Sequence, residues 1–315
     1  MDRRNFVKNT AASVGGLMLS MGIGYPEAAA QSKTKATAKS AARKYDVMKD
    51  ALKYRKLDAH AHAHLGRDLT AVDFEFMNRF NIERSYVSNP MSTGQGTPEQ
   101  FRKHNDLVYS AMQKYPGRMI GQFTLNPQYK QESLDEIKRN VDRGFVMMKL
   151  YYQYKINDPL FYPIFEKLID LKMITLMHAE ATLGTGGYRM KYDKKRMPNT
   201  SIPEDFVDIA ARYPEGMFQY AHIGGGPDWE YACKVLKHSP NVWVDTSGSN
   251  NEEYMIEFAL KQLGEDRLLY GTDLSNSYFQ GIGKILCADI TEKQKEKIFF
   301  HNFNNVLRKS GNHVH

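Results

Sequence analysis

The chain has 315 residues, 42% of them hydrophobic, and a formal net charge of +7. That is enough chain for one large buried core. The charge is uneven: residues 1–56 carry twelve Lys and Arg against four Asp and Glu, so the remainder is close to neutral. A basic excess confined to a leader argues against nucleic acid as a partner.

The N-terminus reads Arg3-Arg4-Asn5-Phe6-Val7-Lys8, then a weakly apolar, glycine-containing stretch from Ala11 to about Gly24, then Ala28-Ala29-Ala30. Basic, apolar and small residues in that order describe an export signal over residues 1–30. The paired arginines resemble a twin-arginine signal, so the expected partner is the twin-arginine export machinery and the expected location periplasmic or otherwise exported. The apolar stretch falls short of the ~20 residues that span a bilayer, so no integral membrane segment is expected in the mature chain. Residues 31–56, rich in Lys, Ala, Ser and Thr, are expected to form a basic flexible tether.

Residues 57–315 read as one α/β domain. Eight short apolar runs follow one another, at Lys56–His62, Arg84–Asn89, Met119–Leu125, Phe145–Tyr151, Met173–Ala179, Phe218–Ile223, Val242–Ser247 and Arg267–Asp273. Helical patterns lie between them. Thr97-Pro98-Glu99 opens one that stops at Pro116-Gly117, Ser133 and Glu136 suggest a capping box for the next, and Pro203 opens another. The last is expected from Thr291 to about Lys309. Eight strand–helix units predict a (β/α)8 TIM barrel, with an open doubly wound sheet as the alternative. The glycine-rich dinucleotide fingerprint of the open form is missing after the first run. The two cysteines, Cys233 and Cys287, supply no metal set or disulfide framework and read as free, packed thiols.

Barrel enzymes place their chemistry at the carboxyl ends of their strands. The first run ends in Asp58-Ala59-His60-Ala61-His62-Ala63-His64, the fourth in Lys149-Leu150-Tyr151, the fifth in His178, the sixth in His222 and the eighth in Gly271-Thr272-Asp273. Residues two apart on a strand share a face, so His60 and His62 can present two imidazoles to one ion, as can His62 and His64. A single strand-end histidine is equally a hydrogen-bonded core residue. Four strand ends bearing such groups are a candidate metal centre.

On these residues, and on the Tyr115-Pro116-Gly117-Arg118 turn and the Ile298–Asn302 segment, the chain resembles the amidohydrolase superfamily from Leu57 to Asn302. The likeness is to the branch of amidohydrolase-related hydrolases that includes aminocarboxymuconate-semialdehyde decarboxylase-like enzymes. The resemblance implies metal ligation by His60, His62, His178 and Asp273, with Asp273 also handling protons, and places His222 where some relatives have a ligand and mononuclear ones a catalytic base or electrophile. Asp58 favours the earlier histidine register. Binuclear relatives carry a carboxylated lysine where Lys149 stands. Alternatively, Lys149 binds a substrate anion or pairs with a carboxylate. One divalent ion is expected rather than two, zinc by default with manganese as the alternative.

Such an ion acidifies water and polarises a carbonyl, with Asp273 orienting the water and His222 passing a proton to the leaving group. The expected activity is hydrolysis of an ester, lactone or amide of a small substrate. The alternative is non-oxidative decarboxylation of an aromatic or unsaturated carboxylic acid. A third reading is an exported ligand-binding barrel with a degenerate site. The basic loop after the fifth run, including Arg189, suggests an anionic substrate, with Tyr151 as a second candidate contact. A homo-oligomer is compatible with the sequence.

Overall fold

The computed structural model describes residues 46–65, 68–92, 96–179, 199–223, 228–248, 250–273 and 278–315. The expected export signal, residues 31–45 of the expected tether and Arg189 lie outside them. Among the described residues no helix is long and apolar enough to cross a membrane.

Eight parallel strands form one sheet in sequence order: β1 Lys56–His62, β2 Ile82–Ser88, β3 Met119–Phe123, β4 Met147–Leu150, β5 Ile174–Met177, β6 Met217–Tyr220, β7 Val242–Asp245 and β8 Leu268–Leu269. The chain beyond β8 returns to β1, where the Ala59 amide donates to the Tyr270 carbonyl and the Thr272 and Asp273 amides both donate to the His60 carbonyl. This is the expected (β/α)8 barrel. The helices that follow the strands include α2 Thr70–Arg79, α3 Pro98–Lys114, α4 Lys130–Asp142, α5 Tyr162–Asp170, α6 Pro203–Arg212, α7 Trp229–Val235, α8 Met255–Leu263 and α9 Tyr278–Leu286. A short α1, Val47–Leu52, precedes β1.

Two apolar layers result. Val87, Phe123, Met148, Met177 and Val244 face the helices, while Leu57, Met147, Leu176, Trp243 and Leu269 pack inside the barrel. The interior is closed by the end of the chain. Helix α10 Glu292–Glu296 passes through a π-turn, Lys297–His301, into α11 Asn302–Lys309. From this run Phe300, Phe303, Val306 and Leu307, at helical spacing, join the interior cluster. Each such burial stabilises by about 1.5–3 kcal/mol.

Some local expectations change. Residues 47–56 do not continue the tether: α1 buries Ala51, and Lys56 is wholly buried, donating to the carbonyls of Ala51, Tyr54 and Phe80 at 2.6–2.9 Å. Thr97 does cap α3, in a reciprocal box with Gln100. Ser133 and Glu136 form no such box. Both are buried inside α4, where Ser133 donates to the Asn126 carbonyl and Glu136 accepts from Asn105 and Asn140. Cys233 is packed, whereas Cys287 is exposed.

One irregularity aims the site. The β1–β2 register shifts between Asp58 and Ala61. Before it, Leu57 and Ala59 pack with the barrel interior. After it, Ala61 and Ala63 pack with the helical layer, so His60 and His62 turn inward. A bulge re-aims side chains in this way. The displaced Ala59 carbonyl is held by Nε2 of Gln122 at 3.1 Å and Nε2 of Gln219 at 3.4 Å.

Candidate metal centre

The functional candidates meet at the carboxyl mouth of the strands. Nε2 of His62 is 3.0 Å, and Nε2 of His60 3.3 Å, from Oδ1 of Asp273. His222 Nδ1 lies 3.7 Å from the other oxygen of Asp273. His178 follows β5, and its Nδ1 is 2.9 Å from Nε2 of His222. Lys149, on β4, brings its Nζ 2.8 Å from Nε2 of His60. His64 points elsewhere: its ring lies between Asp68 and Ser110 on the outer side. The inward pair is therefore His60 and His62.

Two of these residues hold unusual backbones. His222 has φ 71° and Asp273 φ 67°, the left-handed region that non-glycine residues seldom adopt. Such conformations cost about 1–3 kcal/mol each and cluster at functional sites. Gly271 matters for a different reason. A Cβ there would stand 3.1 Å from Cβ of His60 and 3.4 Å from Cβ and Cγ of Asp245. Its missing side chain lets β1, β7 and β8 close around the ligand set.

Sequence reasoning missed the groups behind the histidines. Asp245 ends β7 wholly buried, with Oδ2 3.0 Å from Nδ1 of His60. Ser247 Oγ contacts Asp245 at 2.5 Å, Nδ1 of His222 at 2.9 Å and Nδ1 of His60 at 3.2 Å. Ser88 takes the same position behind His62, 2.9 Å from its Nδ1, and is itself 2.9 Å from the Tyr151 hydroxyl. The available signal was the seventh run's ending, Asp245-Thr246-Ser247, at the level where other strands end in His and Asp. Asp58, noted only for register, is buried and accepts from the Thr272 hydroxyl and the amides of Thr272 and His60.

Burial drives the electrostatics. It lowers His60 to about 3, assisted by the Lys149 charge and opposed by Asp245. It also lowers His178 well below its ordinary value and lowers His222, so these imidazoles are neutral. Burial works to raise Asp273, but the surrounding histidines outweigh it and hold the carboxyl well below its ordinary value. For Asp245 too, burial is outweighed, by its partner His60 and by the hydrogen bond from the Ser247 hydroxyl, and the carboxyl lies below its ordinary value. Burial lowers Lys149 to about 8, against the upward pull of Asp273 and Asp245. Burial raises the Asp58 carboxyl to about 8, against the hydrogen bonds from Thr272 and the His60 amide, which favour its ionised form.

The donor set fits a divalent ion. His60, His62 and Asp273 place one ligand atom each within 4.8 Å of one another. Behind the histidines, Nδ1 faces Asp245 or Ser88, which leaves Nε2 for the mouth. His178 is one hydrogen bond removed from this set, joined to His222. A second grouping of His60, His222 and Asp245 also lies within 4.8 Å. Its centre is filled by Ser247 Oγ, which bonds all three, so it is a hydrogen-bonded knot and not a vacant cation cage. Tyr152 lines the mouth, its ring edge-to-face with His178 at 4.4 Å, and Tyr151 lies beside it.

The chain superposes on solved structures over about four fifths of its length. A 2,6-dihydroxybenzoate decarboxylase from Rhizobium matches with TM-score 0.65 at 16% identity, covering 81% of this chain and 99% of that one. A 5-carboxyvanillate decarboxylase from Sphingomonas paucimobilis gives 0.64 at 15%, covering 81% and 99%. One from Novosphingobium aromaticivorans, complexed with manganese and 4-hydroxy-3-methoxy-5-nitrobenzoic acid, gives 0.64 at 17%, covering 82% and 97%. At these identities the likeness is one of fold. A search of curated proteins finds no relative. The amidohydrolase family model matches residues 57–303, more than three quarters of the sequence, and the chain belongs to that family.

Proposed function

We propose that this barrel is a metal-dependent, non-oxidative decarboxylase of an aromatic carboxylic acid. One observation carries the reading: over four fifths of the chain, the barrel shares its fold with decarboxylases of hydroxylated benzoates. The mouth supports it. Tyr151 and Tyr152 provide an aromatic wall beside the ligand set, suited to a planar ring.

His60, His62, His178 and Asp273 would hold one divalent ion, zinc as the working identity and manganese as the alternative. That ion would supply Lewis acidity toward the substrate's carboxylate or neighbouring oxygen. The side chains handle the proton. The bond from ring carbon to carboxylate breaks, its electron pair stays on the ring carbon, and a proton replaces the departing carbon dioxide. Asp273 is the group for that transfer: its side chain is the most open of the site's carboxylates and, ionised at rest, it would first take up a proton from the substrate's own acidic oxygen or from water and then pass that proton to the ring carbon. His222 stands 3.7 Å from it, its own ring nitrogens engaged by Ser247 and His178.

Hydrolysis of an ester, lactone or amide is the second reading, favoured by the Asp273 carboxylate, which can equally orient water. The experiment runs zinc- and manganese-loaded protein on hydroxybenzoates and unsaturated acids beside esters, lactones and amides in 18O-water. Carbon dioxide release without 18O in the organic product is expected. A product carrying 18O, with no carbon dioxide, would overturn the proposal in favour of hydrolysis.

A further inference from the structure

We infer that Asp245 is a positioning residue: directly on His60, and through Ser247 and His222 onto His178, it fixes which ring nitrogen of three histidines carries the proton. The inference rests on the reading of His60 and His178 as metal ligands.

Five donors converge on this carboxylate. Oδ2 faces Nδ1 of His60 at 3.0 Å and Nε2 of Gln219 at 2.8 Å. Oδ1 faces the Ser247 hydroxyl at 2.5 Å and the amides of Ser247 and His222 at 3.1 and 3.2 Å. A carboxylate so surrounded only accepts. Nδ1 of His60 must then carry its proton, leaving Nε2 bare, and that nitrogen accepts from Lys149 at 2.8 Å.

The second branch follows from counting hydrogens. Ser247 has one hydroxyl hydrogen, and Asp245 takes it. Its oxygen must therefore accept from Nδ1–H of His222 at 2.9 Å. Nε2 of His222 is then bare and accepts Nδ1–H of His178 at 2.9 Å. His178 is left with Nε2 free, the nitrogen it would offer to a metal. A ligand's outer hydrogen bond sets its tautomer in this way. Here one carboxylate does so for two expected ligands and for the histidine between them. Asp245, Ser247 and His222 are all buried, so water does not compete for these bonds.

The test labels histidine ring nitrogens with 15N in the full chain, reads tautomers by long-range 15N–1H correlation, and measures zinc affinity by chelator competition. In the metal-free wild type, His60, His178 and His222 should all show protonated Nδ1. Ser247→Ala cuts only the second branch: His178 and His222 should become tautomer mixtures while His60 keeps its pattern, and zinc should bind several-fold more weakly. Ser247→Thr, which keeps the hydroxyl, should restore both. Asp245→Asn should disturb all three histidines and weaken zinc roughly 10–100-fold.

Unchanged ring signals and affinity in Ser247→Ala would overturn the relay, and the same in Asp245→Asn would overturn the role of Asp245. Should Asp245→Asn fail to fold, the two Ser247 variants decide. A protein with the full tautomer pattern and zinc response that decarboxylates nothing would remove the proposed reaction and leave this inference standing.

Discussion

Nζ of Lys149 stands 2.8 Å from Nε2 of His60, the nitrogen through which His60 would bind a metal. The lysine thus competes with the ion for one lone pair and repels it by charge. Burial brings Lys149 to about 8, so it is still largely protonated at pH 7 and must release a proton to yield the site. Metal affinity should therefore rise by up to tenfold per pH unit toward pH 8 and level off above it. Lys149→Met should bind zinc about tenfold more tightly at pH 7 and show a pH slope smaller by one proton. Chelator competition at several pH values reads both. Weaker binding in Lys149→Met would mean that the lysine supports the metal, as a carboxylated bridging residue does.

Asp273→Asn keeps the shape of the side chain and removes its charge. In protein loaded with metal at saturating concentration, turnover should fall about 10²–10⁴-fold, the range expected for loss of a proton-transfer group. Metal content is measured on the same sample. Wild-type turnover in the loaded variant would refute the role assigned to Asp273.

The barrel was legible because each strand is a short apolar run closed by turn residues, and because chemistry-bearing residues recur at one end. That recurrence singled out His60, His62, His178, His222 and Asp273 as candidates, and the family resemblance supplied their expected roles. The reason His60 and His62 face inward was not legible. It depends on the irregularity in β1, held by Gln122 and Gln219 from β3 and β6, and no local pattern in β1 encodes it. Asp245 was missed because a strand-end aspartate reads as a cap unless its partner is known, and its partner His60 is 185 residues away. Ser133 and Glu136 misled as well. The spacing fits a cap, but Ser133 turns back to the Asn126 carbonyl and Glu136 serves a buried contact with Asn105, 31 residues away.

Gly271 gives a packing test. Gly271→Ala would press a methyl against Cβ of His60 and the side chain of Asp245, an overpacking cost of about 1–3 kcal/mol. Melting temperature and zinc affinity should fall together, because the strain lands on a ligand and its partner. Gly283→Ala is the control. It lies in α9 with nothing within 4 Å of the added methyl, and should leave zinc affinity unchanged while stabilising by up to about 1 kcal/mol. A Gly271→Ala protein with wild-type zinc affinity would show that the site yields at no cost.

Export is tested in the cell. Arg3→Lys with Arg4→Lys should leave full-length protein in the cytoplasm, while the unaltered protein appears outside it with its N-terminus near Gln31. Fractionation and N-terminal sequencing decide. Equal export of both would refute the twin-arginine route.

Asp73 makes a prediction about stability and pH. It is buried on α2, its Oδ1 without a hydrogen-bond partner among the described residues. Burial raises its carboxyl from 3.8 to about 7, with Asp68 adding to the effect. Between those values the unfolded chain is ionised at this position and the folded one is protonated, so folding takes up a proton. Stability then declines as pH rises from about 4 to 7 and levels off above the folded value. Asp73→Asn removes that loss. At pH 3, where both carboxyl states are protonated, the variant and wild type should melt together. At pH 8 the variant should melt roughly 2–4 °C higher, corresponding to about 1 kcal/mol in a domain of this size. Thermal melts across this range read the difference directly. A pH-independent gap between the two proteins would show that the Asp73 carboxyl does not titrate with folding.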